Sequence, residues 1–276
     1  MKAAKNREKT EPIENFRKFL KSDRWEELGK IETDQKKGVP APLPQKSCPI
    51  GARLITLVSP EDLTVGKMPL IEAIKRRRSR RRFTEEPLTL EELSFLLWAT
   101  QGITTKEARA ARENEFREAS ALQRAAFRTV PSGGARHPFE TYLLINRVNG
   151  VQPGLYRYLP LQNKLCFLYA DAELVGKVHE ACYEQYVKDS AVTFIWTVIP
   201  YRTEWRYSVV SPKIIAQDSG HVCQNLYLAC EAIGTGTCAI GAYDQEKMDL
   251  ALRVDGEEEF AIYVAPVGKP MNKRAP

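Results

Sequence analysis

Apolar residues along this chain follow two different periods, and the switches between them outline the elements. Leu70 to Arg78 keeps helical spacing and runs into a block of arginines. Thr89-Leu90-Glu91-Glu92 then opens a second helix with a capping box, in which the Thr89 hydroxyl and the Glu92 carboxylate each satisfy a free amide of the first turn. Leu93, Leu96, Leu97 and Thr100 continue it, and Gly102 is placed to end it. Beyond Pro131 come the strand-like runs ETYLLIN, LYRYL, KLCFLY, VTFIWTVI and EFAIYVAPVG. Helical stretches near Glu173 to Val187, Ile214 to Ile233 and Gln245 to Leu252 separate them. The Ile214 to Ile233 stretch has small and apolar residues on most faces, which suits the centre of a domain or a subunit interface.

Residues 1–67 read as an extension and residues 68–276 as the folded body. Phe16, Phe19, Leu20, Trp25 and Leu28 predict an amphipathic helix near Ile13 to Leu28, and the proline-rich KKGVPAPLPQKSCP follows. Such a segment is expected to wrap a body rather than fold alone. Lys106 to Phe127 is charged and alanine-rich with few large apolar anchors. It reads either as a mobile helical cover over a site or as a solvated surface helix.

Composition narrows the class. With 276 residues, 43% hydrophobic and 28% charged, the chain can bury an enzyme-sized core, which excludes a disordered or fibrous protein. No run approaches the roughly 20 apolar residues that cross a bilayer, and the start MKAAKNREKTEP has no apolar core behind it, so neither export nor a membrane partner is expected. Cys48, Cys166, Cys182, Cys223, Cys230 and Cys238 include no CxxC pair, which predicts reduced, mostly buried thiols in a cytoplasm and no metal site.

The net charge of +6 is concentrated in KRRRSRRR, Lys75 to Arg82. Seven of the 41 basic residues lie there with no acid, which leaves 34 bases against 35 acids elsewhere. Standing alone, such a run is more often a solvated basic face, a localisation signal or a nucleic-acid patch. Its setting changes the reading, because a helix leads into it and the Ser79 hydroxyl splits it. Several guanidiniums and a hydroxyl converging at a helix end form a cradle for a phosphate monoester dianion.

Two further tracts carry candidate chemistry. PSGGARHP, Pro131 to Pro138, sets a hydroxyl and paired glycines before a strand, where backbone can approach a planar ligand without a clashing β-carbon. An ordinary tight turn has similar composition. GTGTCAIGAYD, Gly234 to Asp244, is a glycine-rich approach to a short strand. It is neither a Walker loop nor a GxGxxG after a strand, so a nicotinamide-binding Rossmann unit is unsupported. His137 reads equally as a ligand contact or a turn residue, and His221 as a packed core or interface residue. Cys223 and Cys230 have core rather than metal spacing, and Trp205-Arg206-Tyr207 either rims a pocket or covers a core from a loop.

Taken in order, Arg77-Arg78-Ser79-x-Arg81-x-Phe83, Pro131-Ser132-Gly133-Gly134-Ala135, GTGTCAIGAYD and a closing VGKP resemble the FMN-dependent nitroreductase family, over about three quarters of the chain from Pro69. SGGARHPFETYLLINRVNGVQPGLYRYLP and DSGHVCQNLYLACEAIGTGTCAIGAYD are similar to its branch of thiazole- and oxazole-forming, SagB-type dehydrogenases. The resemblance implies an α+β fold, a mixed β-sheet flanked by helices, and a homodimer joined through long helices with two FMN sites at the interface. Arg77, Arg78, Ser79 and Arg81 would then hold the FMN phosphate, with Lys273 or Arg274 completing it. Pro131, Ser132, Gly133 and Gly134 would reach the same flavin from the partner, and Ile240, Gly241 and Ala242 would line the isoalloxazine. No catalytic residue is named, because in such enzymes flavin N5 accepts the hydride and the protein supplies orientation and electrostatics. The azoline-oxidising relatives are expected to carry a Lys-Tyr pair where this chain reads IPYRTEWRY, and that pair is absent.

The function this implies is NAD(P)H-dependent reduction of nitroaromatic, quinone or similar small-molecule acceptors. A second reading keeps the flavin but dehydrogenates a pathway substrate, a peptide azoline or a cofactor precursor. A third makes the arginine run a nucleic-acid or anionic-surface binder without redox chemistry. Confinement of the charge to eight residues suits one phosphate better than a long polyanion.

Overall fold

The structure, a computed structural model, describes residues 11–104 and 127–271. Most of the Lys106 to Phe127 segment therefore lies outside the described residues, as do Lys273 and Arg274.

Seven strands form one sheet: β1 Leu54–Thr56, β2 Phe139–Ile145, β3 Gly154–Leu159, β4 Lys164–Tyr169, β5 Val192–Val198, β6 Gly236–Thr237 and β7 Phe260–Gly268. Their order is β1-β4-β3-β2-β5-β7-β6, and every strand ladder is antiparallel. The expected mixed sheet is thus antiparallel in its ladders, with parallel pairing confined to isolated bridges at Ser79–Thr237 and Leu88–Val148. Short turns link β2, β3 and β4, and a short turn can join only antiparallel neighbours.

Both faces of the sheet are covered, which is why its strands read as unbroken apolar runs rather than as alternation. On β2, Leu143 and Ile145 join one core and Tyr142 and Leu144 the other. α4 (Leu90–Gln101) and α7 (Ser211–Ala232) pack on the first face, while α5 (Leu174–Ala181) and α8 (Gln245–Leu252) pack on the second. The Thr89 capping box forms with both of its hydrogen bonds, at 3.1 and 2.9 Å. Gly102 ends α4 in an extended rather than left-handed conformation, and a β-carbon there would come within 2.3 Å of the Trp98 ring.

Three helices depart from expectation. The predicted Ile13 to Leu28 helix breaks into α1 (Glu11–Leu20) and α2 (Arg24–Lys30) around Ser22 and Asp23, residue types that favour caps and turns over helix interiors. α3 (Leu70–Arg76) stops two residues early, because the chain turns at Arg77 and pairs with β6 through Arg80 N–H to Thr237 O at 2.9 Å. Ile199 to Tyr207 contains a helix, α6 (Tyr201–Tyr207), where a loop was expected. Its buried side includes the polar Arg202 and Thr203, which hides the apolar period.

Between α2 and β1 the extension lies along the body as a strap. Buried Arg128 donates to the Pro44 carbonyl at 2.8 Å, Trp205 Nε1 to Val39 O at 2.8 Å, and Arg157 to Ser47 O at 2.5 Å. Glu140, 2% exposed, accepts from the Lys46 backbone N–H and pairs with Arg202 at 2.5 Å. A disulfide joins Cys48 of the strap to Cys166 of β4, which corrects the expectation of six reduced thiols. The two cysteines are 118 residues apart, so no local spacing announces the bond. Cys182, Cys223, Cys230 and Cys238 remain free and buried.

Candidate functional site

The arginine run leaves α3 and meets the C-terminal half of α7. Arg77 places its guanidinium over the Tyr227 ring, 5.5 Å from the centroid. The Tyr227 hydroxyl lies 3.2 Å from Ser79 Oγ and accepts the Ala239 backbone N–H at 2.8 Å. Arg76 and Arg80 approach Glu231 at 3.7 and 3.9 Å, so one carboxylate offsets two of the cations. Arg77, Arg78, Arg81 and Arg82 make no ion pair among the described residues. Among the described residues Arg78 donates to the carbonyls of Lys75 and Arg77. The end of β7 runs alongside, with Thr84 N–H bonded to Lys269 O at 2.9 Å and Met271 N–H to Arg82 O at 3.0 Å.

The third tract joins this cluster. Ile240 exchanges backbone hydrogen bonds with Val264, which leaves Gly241 and Ala242 exposed at the surface. Gln185 donates to the Ala242 carbonyl at 3.1 Å, and its neighbour Tyr186 lies under the Arg81 guanidinium at 6.0 Å. Backbone and side chains therefore hold the arginine run and the Ile240–Ala242 turn against one another. A β-carbon beside Gly241 would meet nothing within 4 Å, so flat molecules can approach that backbone.

The glycine-paired loop sits elsewhere. Ser132 Oγ donates to Asp218 at 2.6 Å, the Gly133 N–H donates to the same carboxylate at 3.1 Å, and Ser132 Oγ accepts the His137 N–H at 2.9 Å. Gly133 packs on Ile214 so closely that a β-carbon would lie 2.4 Å from it. Gly134 has φ +57°, and a β-carbon there would come within 2.6 Å of the Tyr207 hydroxyl. Burial pushes the Asp218 carboxyl above the usual carboxylate range, while its bonds from Ser132 and Gly133 pull the other way. Nine residues of α7 separate Asp218 from Tyr227, about 14 Å at 1.5 Å per residue. Within one chain, two of the three predicted groups come together and the Pro131–Gly134 loop does not join them.

This geometry can be set beside known proteins. The nitroreductase family profile matches residues 74–269, well over half the chain. The chain belongs to the nitroreductase family. It is 30% identical over 210 residues to a protein of Methanocaldococcus jannaschii that carries a provisional nitroreductase name, covering 74% of this chain and 95% of that one. It is also 30% identical over 112 residues to the trifolitoxin-processing protein TfxB of Rhizobium leguminosarum bv. trifolii, covering 39% of this chain and 30% of TfxB. Among solved structures, a provisionally named nitroreductase from Ralstonia eutropha superposes with a TM-score of 0.62 at 22% identity, covering 85% and 98% of the two chains. A chain of the E. coli microcin synthetase McbBCD complex, solved with truncated pro-MccB17 bound, gives 0.56 at 17% identity and covers 97% and 100%. The TfxB match agrees with the branch read from the motifs, while the McbBCD chain shares the fold. Family membership makes this nitroreductase-like protein an oxidoreductase.

Several residues of the candidate site were not singled out from sequence. Tyr227, Glu231, Asp218 and Gln185 organise it, and each lies inside a quoted helix or loop without a motif of its own. His137 is buried in the turn at φ +45°, and burial beside Arg128 and Arg136 holds its pKa well below the usual value. His221 is 48% exposed in this chain, so it is not a core residue; its Nδ1 lies 3.8 Å from Asp218. Cys223 and Cys230 are packed in the core, where burial pushes both thiols up to about 12. Trp205 is buried under Arg136, at 4.9 Å, while Arg206 and Tyr207 face the Gly134 turn.

Proposed function

We propose that this protein binds FMN and carries out two-electron transfer with NAD(P)H as donor, reducing nitroaromatic, quinone or similar conjugated acceptors. The observation that carries the reading is the uneven pairing of the arginine run. Glu231 takes Arg76 and Arg80, which the motif does not assign to the ligand, and among the described residues Arg77, Arg78 and Arg81 have no carboxylate partner. Spare guanidiniums beside a hydroxyl fit a phosphate dianion, since charge-assisted, bidentate bonds are available on two sides. Flavin held there supplies hydride chemistry at its ring. Exposed backbone at Gly241 and Ala242 would line that ring, and Lys273 or Arg274 would complete the phosphate site.

The same reading makes the protein a homodimer. A stripe of Gln217, Gly220, Gln224 and Leu228 runs along α7 without being buried by its own chain. Two such helices crossing about a two-fold axis would carry the Pro131–Gly134 loop of one protomer to the arginine run of its partner. The 14 Å separation within one chain is then bridged between chains. The visible spectrum of the purified protein tests this: a yellow sample releasing FMN is expected, whereas a colourless protein that cannot be reconstituted with FMN overturns it.

One observation favours the second reading, oxidation of a pathway substrate by the same flavin. Arg206 and Tyr207 bring a cation and a phenol to the Gly134 turn, with the guanidinium 5.4 Å from the ring. They stand in the segment where the azoline-oxidising branch is expected to carry Lys and Tyr. Flavin that neither NADH nor NADPH reduces, but that an azoline peptide does, would select this reading over the first.

A further inference from the structure

α1 turns its apolar residues away from the body. Ile13, Phe16 and Leu20 recur at the spacing of one helical stripe and are 48%, 78% and 67% exposed. Arg17 and Lys21 border that stripe by helical position, and Lys18 and Arg24 lie nearby. The hydrogen bonds these cations make go to neutral partners, Lys18 to Asn15 Oδ1 at 3.0 Å and Arg24 to Val209 O at 3.5 Å. None of the four makes an ion pair among the described residues.

A cavity of about 340 Å³ opens between α1, α2 and the start of α7. Phe19, Trp25 and Pro212 supply its apolar floor, and Lys21, Arg24 and Lys213 stand around it without a carboxylate. An exposed apolar stripe and a cation-ringed apolar slot thus share one face of the molecule. The sequence just upstream has the same sign, with Lys2, Lys5, Arg7 and Lys9 against Glu8.

We propose that α1 and α2 dock on an anionic lipid surface, the stripe entering at headgroup depth and the cations meeting phosphates. Apolar and aromatic residues on one face with Lys and Arg beside them are what a helix needs to lie in that interface. Charge decides against a second copy of this chain as the occupant. A two-fold pairing of this face would bring Arg17 and Lys21 close to their own equivalents, and Glu14, the acid three residues before Arg17 on α1, is already engaged. Lying on a membrane does not require crossing it: α1 has 10 residues, and no helix among the described residues is long and apolar enough to span.

The full-length protein should sediment with vesicles of phosphatidylcholine mixed with phosphatidylglycerol, but not with vesicles of phosphatidylcholine alone. Binding should weaken as salt is raised. Each cation near such a surface is worth about a fivefold change in affinity, so Arg17→Gln with Lys21→Gln should weaken binding about thirtyfold. Phe16→Ser with Leu20→Ser should abolish it, leaving the sedimentation coefficient of the free protein unchanged. Equal binding to neutral vesicles, no binding to either kind, or indifference to these substitutions overturns the proposal. A change in the free protein's oligomeric state on losing the stripe also overturns it, and marks the face as a contact between copies.

Discussion

Replacing Tyr227 by phenylalanine isolates the joint between the arginine run and the Ile240–Ala242 turn. The ring stays, so the Arg77 contact at 5.5 Å is kept, and only the hydroxyl goes. Two hydrogen bonds are lost, at 3.2 Å to Ser79 and 2.8 Å from the Ala239 N–H. Each is worth about 0.5–1.5 kcal/mol net, and the half-buried amide of Ala239 is left without its acceptor, so about 2 kcal/mol is at stake. If this joint holds the proposed phosphate cradle, FMN affinity should fall roughly tenfold to thirtyfold, at 1.4 kcal/mol per factor of ten. Titrating apoprotein with FMN and following flavin fluorescence measures it directly. Ser79→Ala removes one of the two bonds and should cost less, and the double variant should cost less than the sum because both share that bond. A Tyr227→Phe protein that melts earlier yet binds FMN within twofold of the parent would make Tyr227 a packing residue and refute the reasoning.

Three other perturbations have definite expected outcomes. Ser208 sits at φ +41°, ψ −123°, backbone that glycine takes without strain, so Ser208→Gly should raise stability by about 1 kcal/mol in thermal unfolding; a loss would mean the hydroxyl matters more than the strain. His137 is held neutral in the fold, while in the unfolded chain it takes a proton near its usual 6.5, so protonation favours unfolding and stability should fall as pH drops through 6.5 toward 5. His137→Asn, which also tolerates positive φ, should flatten that dependence, and an unchanged slope would assign it to other groups. Leu228→Glu should separate protomers and release flavin with the fold intact, whereas Leu226, fully buried in its own chain, should unfold when charged; a folded, flavin-bound dimer of Leu228→Glu would clear this stripe of any role in assembly.

Where the sequence carried local chemistry, the structure agrees with it closely. The Thr89 box and the Gln245–Leu252 helix occupy their predicted places, and the five long strands differ by a residue or so at their ends. These signals are written in neighbouring residues. The strap is not: its buried partners Arg128, Arg157 and Glu140 lie 84 to 111 residues away, and no period in residues 33–48 points to them. The same reason hid the Cys48–Cys166 bond. α6 was missed because its inward side carries Arg202 and Thr203 as well as Trp205, so burial there is polar. The arginines, glycines and Ser132 of the candidate site were legible because they form tracts. Asp218 and Glu231, which hold those tracts in place, were not, since a lone acid on an apolar helix looks like a solvated residue until its partners are known.

Seven cations within eight residues would repel one another if nothing offset them, and the pairing pattern shows how the fold tolerates them. Glu231, 9% exposed, stands between Arg76 and Arg80, and Glu72 meets Lys75 at 3.3 Å. Among the described residues the cations left over are Arg77, Arg78, Arg81 and Arg82, and the backbone at Ser79 and Arg80 is fixed to β6, so they cannot move far apart to relieve the repulsion. A bound dianion relieves it instead. If the run is the proposed phosphate site, the native state of the free protein is raised in energy by it, and ligand binding would recover that energy in addition to the new contacts. Two consequences separate this from a plain surface patch. High salt should stabilise the apoprotein by screening the run, while adding little to the flavin-loaded protein. Inorganic phosphate should raise the apoprotein's melting temperature more than chloride at the same ionic strength, because a dianion can bridge guanidiniums that a monovalent ion only screens. Equal effects of phosphate and chloride at matched ionic strength would leave the run as diffuse charge and remove the electrostatic basis of the proposed phosphate site.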